Sequence, residues 1–240
     1  MTHSLLHGRR VAITGGTSGL GLALVRELHH RGAAVAFVAR TADRVRAVAA
    51  DVDGTCGIVG DVSRKEDIYP IAMQITAALG GLDVLVNNAS SLGPVPLVPL
   101  ADTDCEDFEA ALATNVVGPF RLTKALLGAL AASAREARAP LIVDISSDAA
   151  ETPYPNWGAY GASKAALRHL TAIWAEEARG DGIAFLSVDP GDMDTPLHAL
   201  ALPDDDPAGL KRPETAAAEI IAAMLAALPG RVVETATVPA

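Results

Sequence analysis

The sequence predicts a single α/β domain: a doubly wound parallel sheet of about seven strands with helices on both faces. Three observations carry this. Short apolar runs alternate with longer stretches of helical period, joined by short connections, the order a parallel sheet requires. Half of the 240 residues are hydrophobic yet only 4% are aromatic, so the core is built from Ala, Val, Leu and Ile. That mixture suits parallel strands buried under closely packed helices. Every candidate functional group also falls at the C-terminal end of a predicted strand or just beyond it, the edge on which such sheets bind ligands. A chain of this length can bury one large core.

The first strand, Arg10–Thr14, stops at the turn T-G-G-T-S-G-L-G of residues 14–21, and a helix over 20–31 follows with Leu20, Leu24 and Leu28 on one stripe. In that strand–turn–helix context Gly15 permits the tight turn. Gly19 lets a pyrophosphate approach the backbone, and Gly21 lets helix and strand pack closely. The spacing G-x-x-x-G-x-G departs from the commoner G-x-G-x-x-G fingerprint. The second strand, Ala34–Ala39, ends at Arg40. An acidic residue at this strand end of a dinucleotide fold binds a ribose 2′-hydroxyl, whereas an arginine accommodates a 2′-phosphate. With no acid and one guanidinium, the sequence predicts NADP(H) in preference to NAD(H), and Thr17 and Ser18 offer hydroxyls to the same phosphate. A solvated surface arginine is the competing reading of Arg40.

A helix over 42–50 leads to a third strand over 56–60, closed by Asp61 and Val62. Asp61 either accepts from the adenine amino group or, with Ser63, caps the helix predicted over 64–79. The fourth strand, 82–86, ends in Asn87, Asn88, Ala89 and Ser90, which puts two amides on the ligand edge. Residues 91–104 are proline-rich and aperiodic, a loop over the site. One Ala-rich helix is predicted over 106–135, with Asn115 in its middle in need of a partner and Pro119 kinking it. Leu141–Ile145 is the fifth strand and 183–188 the sixth, closed by Asp189, Pro190 and Gly191. Residues 192–212 are polar and proline-rich, suited to a mobile lid. A helix over 213–228 and a short strand over 231–235 complete the chain.

Ser146 and Ser147 follow the fifth strand, and the next helix opens near Trp157 with Tyr160-Gly-Ala-Ser-Lys164. A four-residue spacing puts phenol and ammonium one turn apart on one helix face. A neighbouring ammonium favours the phenolate and is expected to lower the tyrosine pKa from about 10 towards neutrality, where general acid–base chemistry is most effective. Ser147, thirteen residues upstream of Tyr160, is placed to hold a carbonyl oxygen while the proton is delivered.

The net charge of −10 argues against nucleic acid or an acidic membrane surface as a partner. Cys56 and Cys105 lack metal-ligand spacing, so no metal is expected and both read as reduced thiols. Residues 1–10 lack an apolar leader and no apolar run approaches 18 residues, so a cytoplasmic location is expected. The Ala-, Asp- and Pro-rich composition points to a GC-rich bacterial genome.

From Arg10 to Thr195 the chain resembles the short-chain dehydrogenase/reductase family, a Rossmann-like fold, in its single-domain branch. The marks are T-G-G-T-S-G-L-G at 14–21, Asp61, N-N-A at 87–89, Asn115, Ser147, Y-G-A-S-K at 160–164 and P-G-D-M-D-T at 190–195. The resemblance implies that Tyr160 is the general acid in reduction and the base in oxidation. It implies that Lys164 lowers the tyrosine pKa and holds the nicotinamide ribose, that Ser147 polarises the carbonyl, and that Asn115 holds a proton-relay water. Asn88 and Ala89 would line the cofactor, and Pro190, Gly191 and Thr195 would hold its carboxamide end. Two departures stand out. Ser90 replaces the glycine of the usual N-N-A-G, and the C-terminal segment lacks the glycine-rich strand of tetrameric members. A homodimer through the Asn115 and Tyr160 helices is therefore expected, with a homotetramer as the alternative. The function expected is NADPH-dependent reduction of a small, fairly apolar carbonyl compound, or the reverse oxidation of the alcohol. Leu92, Tyr154, Trp157, Met193, Leu197 and His198 are the candidate substrate contacts. A cofactor-binding sensor or scaffold without turnover is the alternative.

Overall fold

The computed structural model describes residues 6–228 and 236–237. Its elements run β1 (Arg10–Thr14), α1 (Gly19–His30), β2 (Ala34–Ala39), α2 (Ala42–Asp51), β3 (Cys56–Val59), α3 (Lys65–Leu79), β4 (Val84–Asn87) and α4 (Cys105–Leu112). A π-helical turn (Ala113–Val117) leads directly into α5 (Gly118–Arg135). Then follow β5 (Leu141–Ile145), α6 (Gly158–Glu177), β6 (Ala184–Asp189), α7 (Pro196–Ala201), α8 (Pro213–Ala227) and β7 (Ala236–Thr237). The strands form one sheet in the order β3-β2-β1-β4-β5-β6-β7, and every pairing is parallel. Six strands carry the sheet; the seventh is a two-residue pairing with β6. The short strand expected over 231–235 lies outside the described residues.

Alternation along each strand explains why the runs are apolar throughout. Val11 and Ile13 of β1, with Val35 and Phe37 of β2, enter the core under α1 and α8. Ala12, Ala36 and Val38 face the other way, into the core shared with α3 and α5. Both faces are covered, so neither strand position can be polar without a partner. The chain winds outward from β1 to β3, returns to β4 and winds the other way. Beyond the C-terminal ends of β1 and β4 the connections diverge, and the crevice this opens is where such folds bind ligands.

The opposite edge is closed by charge. Asp83, just before β4, is fully buried. It accepts from Arg10 Nη2 at 2.6 Å, Arg138 Nη2 at 2.8 Å, Ser133 Oγ at 2.7 Å and the Arg10 backbone N–H at 2.9 Å. The two guanidiniums hold its carboxyl well below the usual carboxylate range, against the opposing pull of burial.

Two helix expectations are corrected, and the segment over 192–212 gains local structure. The helix predicted over 106–135 is two helices, and the irregularity precedes Pro119. Pro119 sits in the first turn of α5, where its missing N–H is tolerated, and the chain is instead widened by one residue in the π turn that carries Asn115. Residues 192–212 hold a helix, α7, and a short 3₁₀ turn, and a parallel bridge between Met193 and Lys211 ties the ends of the segment together. The N-cap position of α3 falls at Arg64, whose side chain makes no cap, and not at Asp61 or Ser63.

Candidate active site

The crevice is a cleft of about 480 Å³, within the range of small-molecule and cofactor sites. It is lined by every candidate catalytic, cofactor and substrate residue named from the sequence except Asn115, and of the two amides ending β4 by Asn88 alone.

At the β1 end the backbone of Gly15 is left-handed, φ +72°, a conformation that glycine adopts without strain. A Cβ on Gly21 would stand 2.2 Å from the Gly15 carbonyl oxygen, so only glycine lets α1 start this close to the turn. Ser18 precedes α1 without capping it, and no acidic residue occupies the first turn. The first N–H groups and the positive end of the helix dipole therefore remain available to an anion. Asn88 Nδ2 donates to the Thr14 carbonyl at 2.8 Å, and Thr14 Oγ1 accepts from the N–H groups of Asn88 and Ala89, each at 3.0 Å. These bonds lock the end of β4 onto the glycine turn.

Arg40 lies just after β2, exposed, on the cleft wall. Arg44, in the first turn of α2, lines the same wall and escaped the sequence reading. Its signal was the four-residue spacing from Arg40 into a helix start. Asp61 lines the cleft with one carboxylate oxygen engaged by Ser63, whose N–H donates at 2.9 Å and whose hydroxyl donates at 2.7 Å. Val62 is buried beside it.

The centre of the cleft is Tyr160, buried, with Trp157 edge-on at 5.6 Å between ring centroids. Together with Leu92, Ala149 and Ala201 these rings form a small apolar cluster, with Leu197 packed against it. Burial pushes the phenol up to about 12. The hydroxyls of Ser147 and Ser90 pull it down, while the charges of Asp189 and Asp148 push it further up. This corrects the expectation that Lys164 brings the phenol towards neutrality. The ammonium lies over the face of the ring, 5.5 Å from its centroid, and donates to the Ile145 carbonyl at 2.7 Å. Burial pushes Lys164 itself down to about 8, opposed by Asp144 and Asp189.

Ser147 donates to Asp148 Oδ1 at 3.0 Å and accepts from the Ala149 N–H at 3.2 Å. Tyr154 donates to the other oxygen of Asp148 at 2.6 Å. Asp148, Asp189 and Asp192 all line the cleft. Its apolar wall of Leu92, Trp157, Met193 and Leu197 therefore meets a polar edge that the sequence reading did not anticipate. His198 is paired with Asp205 at 3.0 Å. Thr195 caps α7 by accepting from the His198 N–H, and Pro190 and Gly191 line the cleft below it.

Asn115 lies behind the cleft and is buried. Its Nδ2 donates to the Ser91 carbonyl at 2.7 Å and to Ser163 Oγ at 2.8 Å, and its Oδ1 accepts from the Ser91 N–H at 2.8 Å and from Ser90 Oγ at 3.3 Å. The side chain is thus spent on fixing the 90–91 loop against α6. Pro119, four residues on, has no N–H to give the Asn115 main-chain carbonyl. Ser90, Ser163 and Asp144 also belong to the surroundings of the site and were not proposed as site residues from the sequence.

Among the described residues no group of three or more His, Cys, Asp or Glu is arranged to hold a metal ion, and no helix is long and apolar enough to cross a membrane. Comparison with known proteins gives a consistent picture. A short-chain dehydrogenase of Pseudocercospora fijiensis is 32% identical over 206 residues, 83% of this chain and 63% of the relative, so the chain spans under two thirds of that relative's length. The crystal structure of 3-ketoacyl-(acyl-carrier-protein) reductase from Brucella melitensis complexed with NADH superposes with a TM-score of 0.88, at 26% identity, covering 97% of this chain and 96% of that one. A Burkholderia cenocepacia short-chain dehydrogenase in complex with NADP superposes with a TM-score of 0.83, at 27% identity, covering 97% of each chain. The family model described as short chain dehydrogenase matches residues 9–206, and with the glycine turn, Ser147, Tyr160 and Lys164 gathered on one cleft, the chain belongs to the short-chain dehydrogenase/reductase family.

Proposed function

We propose that the protein is an NADPH-dependent oxidoreductase that reduces a carbonyl group to an alcohol, with Tyr160 as the proton donor. The observation that carries this is the buried phenol, kept protonated by its surroundings, on the same cleft as a free helix N-terminus and two arginines. A phenol pushed up to about 12 holds its proton at neutral pH and can give it to an oxygen that gains negative charge.

The pyrophosphate of the cofactor would lie at the N-terminus of α1, against Gly15, Thr17, Ser18, Gly19, Leu20 and Gly21, with Arg40 and Arg44 taking the 2′-phosphate. Asp61 and Val62 would border the adenine. Asn88, Ala89, Pro190, Gly191 and Thr195 would border the nicotinamide half, and Lys164 has further N–H donors to give its ribose. When bound, the cofactor supplies the hydride. Tyr160 donates the proton to the substrate oxygen, and Ser147 turns its own proton from Asp148 to the same oxygen to hold it. Asn115 keeps the 90–91 loop in place, and its main-chain carbonyl offers a site for a relay water. Leu92, Trp157, Met193 and Leu197 exclude bulk water around an apolar substrate body. Tyr154, through Asp148, fixes the polar edge, and His198 positions α7. Residues 192–212 would close over the bound substrate as a lid. One structural relative holds NADP and another NADH, so the relatives support a nicotinamide dinucleotide and the NADP preference rests on Arg40 and Arg44. Exposed Phe120 and Ile173 on α5 and α6 support a homodimer through those helices; sedimentation at the monomer mass would end that part. The free thiols Cys56 and Cys105 support a reducing, cytoplasmic setting.

The test is a nicotinamide-fluorescence titration of wild type and Arg40→Ala with NADPH and with NADH. The wild type should bind NADPH about tenfold or more tightly, roughly 1.4 kcal/mol or more, and the variant should lose that margin. Equal affinity for both cofactors in the wild type ends the NADP assignment, and binding of neither ends the whole reading.

A further inference from the structure

Asp144, buried in β5, has no part in the chemistry proposed above. It stands one residue before Ile145, whose carbonyl accepts the Lys164 ammonium at 2.7 Å. Its carboxyl is held from two sides. Asn87 Nδ2, at the end of β4, donates to Oδ1 at 2.8 Å, and the same amide reaches Thr123 Oγ1 on α5 at 3.3 Å. The hydroxyl of Thr171, two turns along α6 from Lys164, lies 2.7 Å from Oδ2. Two other elements thus donate to one carboxyl, a third holding Asn87 from behind, where packing alone would rather place an apolar side chain, since burying the carboxyl costs hydration that neutral donors only partly return.

The Thr171 hydroxyl has one hydrogen and two acceptors, Asp144 Oδ2 and the Leu167 carbonyl at 2.9 Å. It can donate to an ionised Asp144. Alternatively a protonated Asp144 donates to Thr171, which gives its own hydrogen to Leu167. Both arrangements are fully hydrogen-bonded, so the carboxyl exchanges a proton without any heavy atom moving. Its contacts are neutral, and Lys164 is the cation whose field reaches it. The charged and titratable groups facing Lys164 are Asp144 from β5, Asp189 from β6 and Tyr160 from its own helix. Of the two carboxyls, Asp144 acts more strongly on the lysine.

We propose that Asp144 is a positioning residue acting through Lys164: it is the counter-charge that keeps the buried lysine an ammonium, ready to donate into the cleft. Lys164 and Thr171, seven residues apart on one face of α6, meet β5 at the adjacent residues Ile145 and Asp144, and that placement carries the pairing; its consequence for cofactor binding rests on the function proposed above.

The experiment follows the lysine directly. Protein labelled with ¹³C at lysine Cε gives signals from Lys65, Lys124, Lys164 and Lys211, and Lys164→Met assigns the buried one. The wild-type midpoint is expected near the value of about 8 set by burial and the two carboxylates. Asp144→Asn keeps the shape and removes the charge, and should lower that midpoint by about 1–3 pH units, the range for an opposite charge at close quarters. Thr171→Val removes one donor from the carboxylate, makes it a weaker counter-ion and should lower the midpoint by less. A merely structural carboxyl would change the melting temperature and leave the titration of Lys164 in place, so an unmoved midpoint in Asp144→Asn overturns the proposal. Should that variant not fold, an unmoved midpoint in Thr171→Val overturns it equally. NADPH titrations across the same pH range add the functional consequence. Affinity should fall as pH rises through the lysine midpoint, and in Asp144→Asn the fall should come earlier by the same interval. Absence of NADPH binding in every variant would remove the proposed cofactor, while the lysine titration still decides the pairing.

Discussion

Asp83 and Asp144 are both buried carboxyls beside neighbouring strands, and their surroundings are opposite. Asp83, at the N-terminal edge of the sheet, meets two guanidiniums, a hydroxyl and a backbone N–H. Asp144, towards the C-terminal edge, meets an amide and a hydroxyl, with one lysine beyond. The first carboxyl is held far below its ordinary range and the second is pushed above it by burial. The same residue type therefore serves two ends. At the closed edge, charge is fully compensated and fixes the fold. At the open edge, charge is left incompletely compensated, and the groups there remain able to titrate.

Activity and stability should separate at the two edges. Tyr160→Phe, at the open edge, should lower the rate of carbonyl reduction by about 10²–10⁴-fold, the typical contribution of a positioned general acid. The ring stays packed on Trp157, so the melting temperature and NADPH affinity should hardly move. Steady-state kinetics beside a thermal melt reads both, and retention of full turnover would remove Tyr160 from the mechanism.

Asp83→Asn, at the closed edge, should do the reverse. Removing one member of a buried ion network leaves the others uncompensated and costs about 3–5 kcal/mol, with kcat at permissive temperature unchanged. The pH dependence follows from the direction of the shift. A carboxyl whose folded pKa is depressed adds stability that is present above its unfolded value, about 3.9, and is lost as pH falls through the folded value. Wild-type stability should therefore drop steeply on acidification below about pH 4, and Asp83→Asn should flatten that limb. Asp144 has the opposite sign: its raised folded pKa favours the protonated fold and partly offsets the acid loss. Denaturant melts from pH 3 to 7 measure both slopes, and an acid limb unchanged in Asp83→Asn would show that its ion pairs contribute nothing net.

The sheet and most of the cleft were legible because their signals are local. Val11, Ile13, Val35 and Phe37 form unbroken apolar runs, and Gly15, Gly19 and Gly21 sit at fixed offsets after a strand. What escaped was non-local, or a balance of opposed effects. The π turn at Asn115 adds one residue to a helical period, which a window of alanines and valines cannot register, so the eye goes to Pro119. Asp144 lies inside an apolar strand, and its partners Asn87 and Thr171 arrive from two other elements, with Thr123 of a third holding Asn87. Tyr160 was misjudged in sign: spacing shows that Lys164 is near, but it does not show how deeply both groups are buried, and burial with two nearby carboxylates outweighs the hydroxyls of Ser147 and Ser90 that favour the phenolate. Asp148 was overlooked because a single acid beside a serine is ordinary until Ser147 and Tyr154 are both seen donating to it.

Ser90 offers the finest test of how the open edge is tuned. It stands where the family pattern has glycine, donates weakly to Asn115 Oδ1 at 3.3 Å and helps to draw the Tyr160 phenol down. Ser90→Gly removes a long hydrogen bond worth about 0.5–1.5 kcal/mol and frees the backbone of the loop. The melting temperature should fall by a few degrees at most. The phenol, relieved of one stabilising hydroxyl, becomes the weaker acid. Carbonyl reduction should therefore slow a few-fold, and the phenol's own limb, which at about 12 lies beyond the lysine step near 8, should move to higher pH, because the proton is lost later. Ser90→Ala, which restores a β-carbon without the oxygen, should reproduce the pH shift and spare most of the backbone cost. If both variants kept the wild-type pH profile, the hydroxyl would be a loop tie alone, and control of the phenol would fall to Ser147.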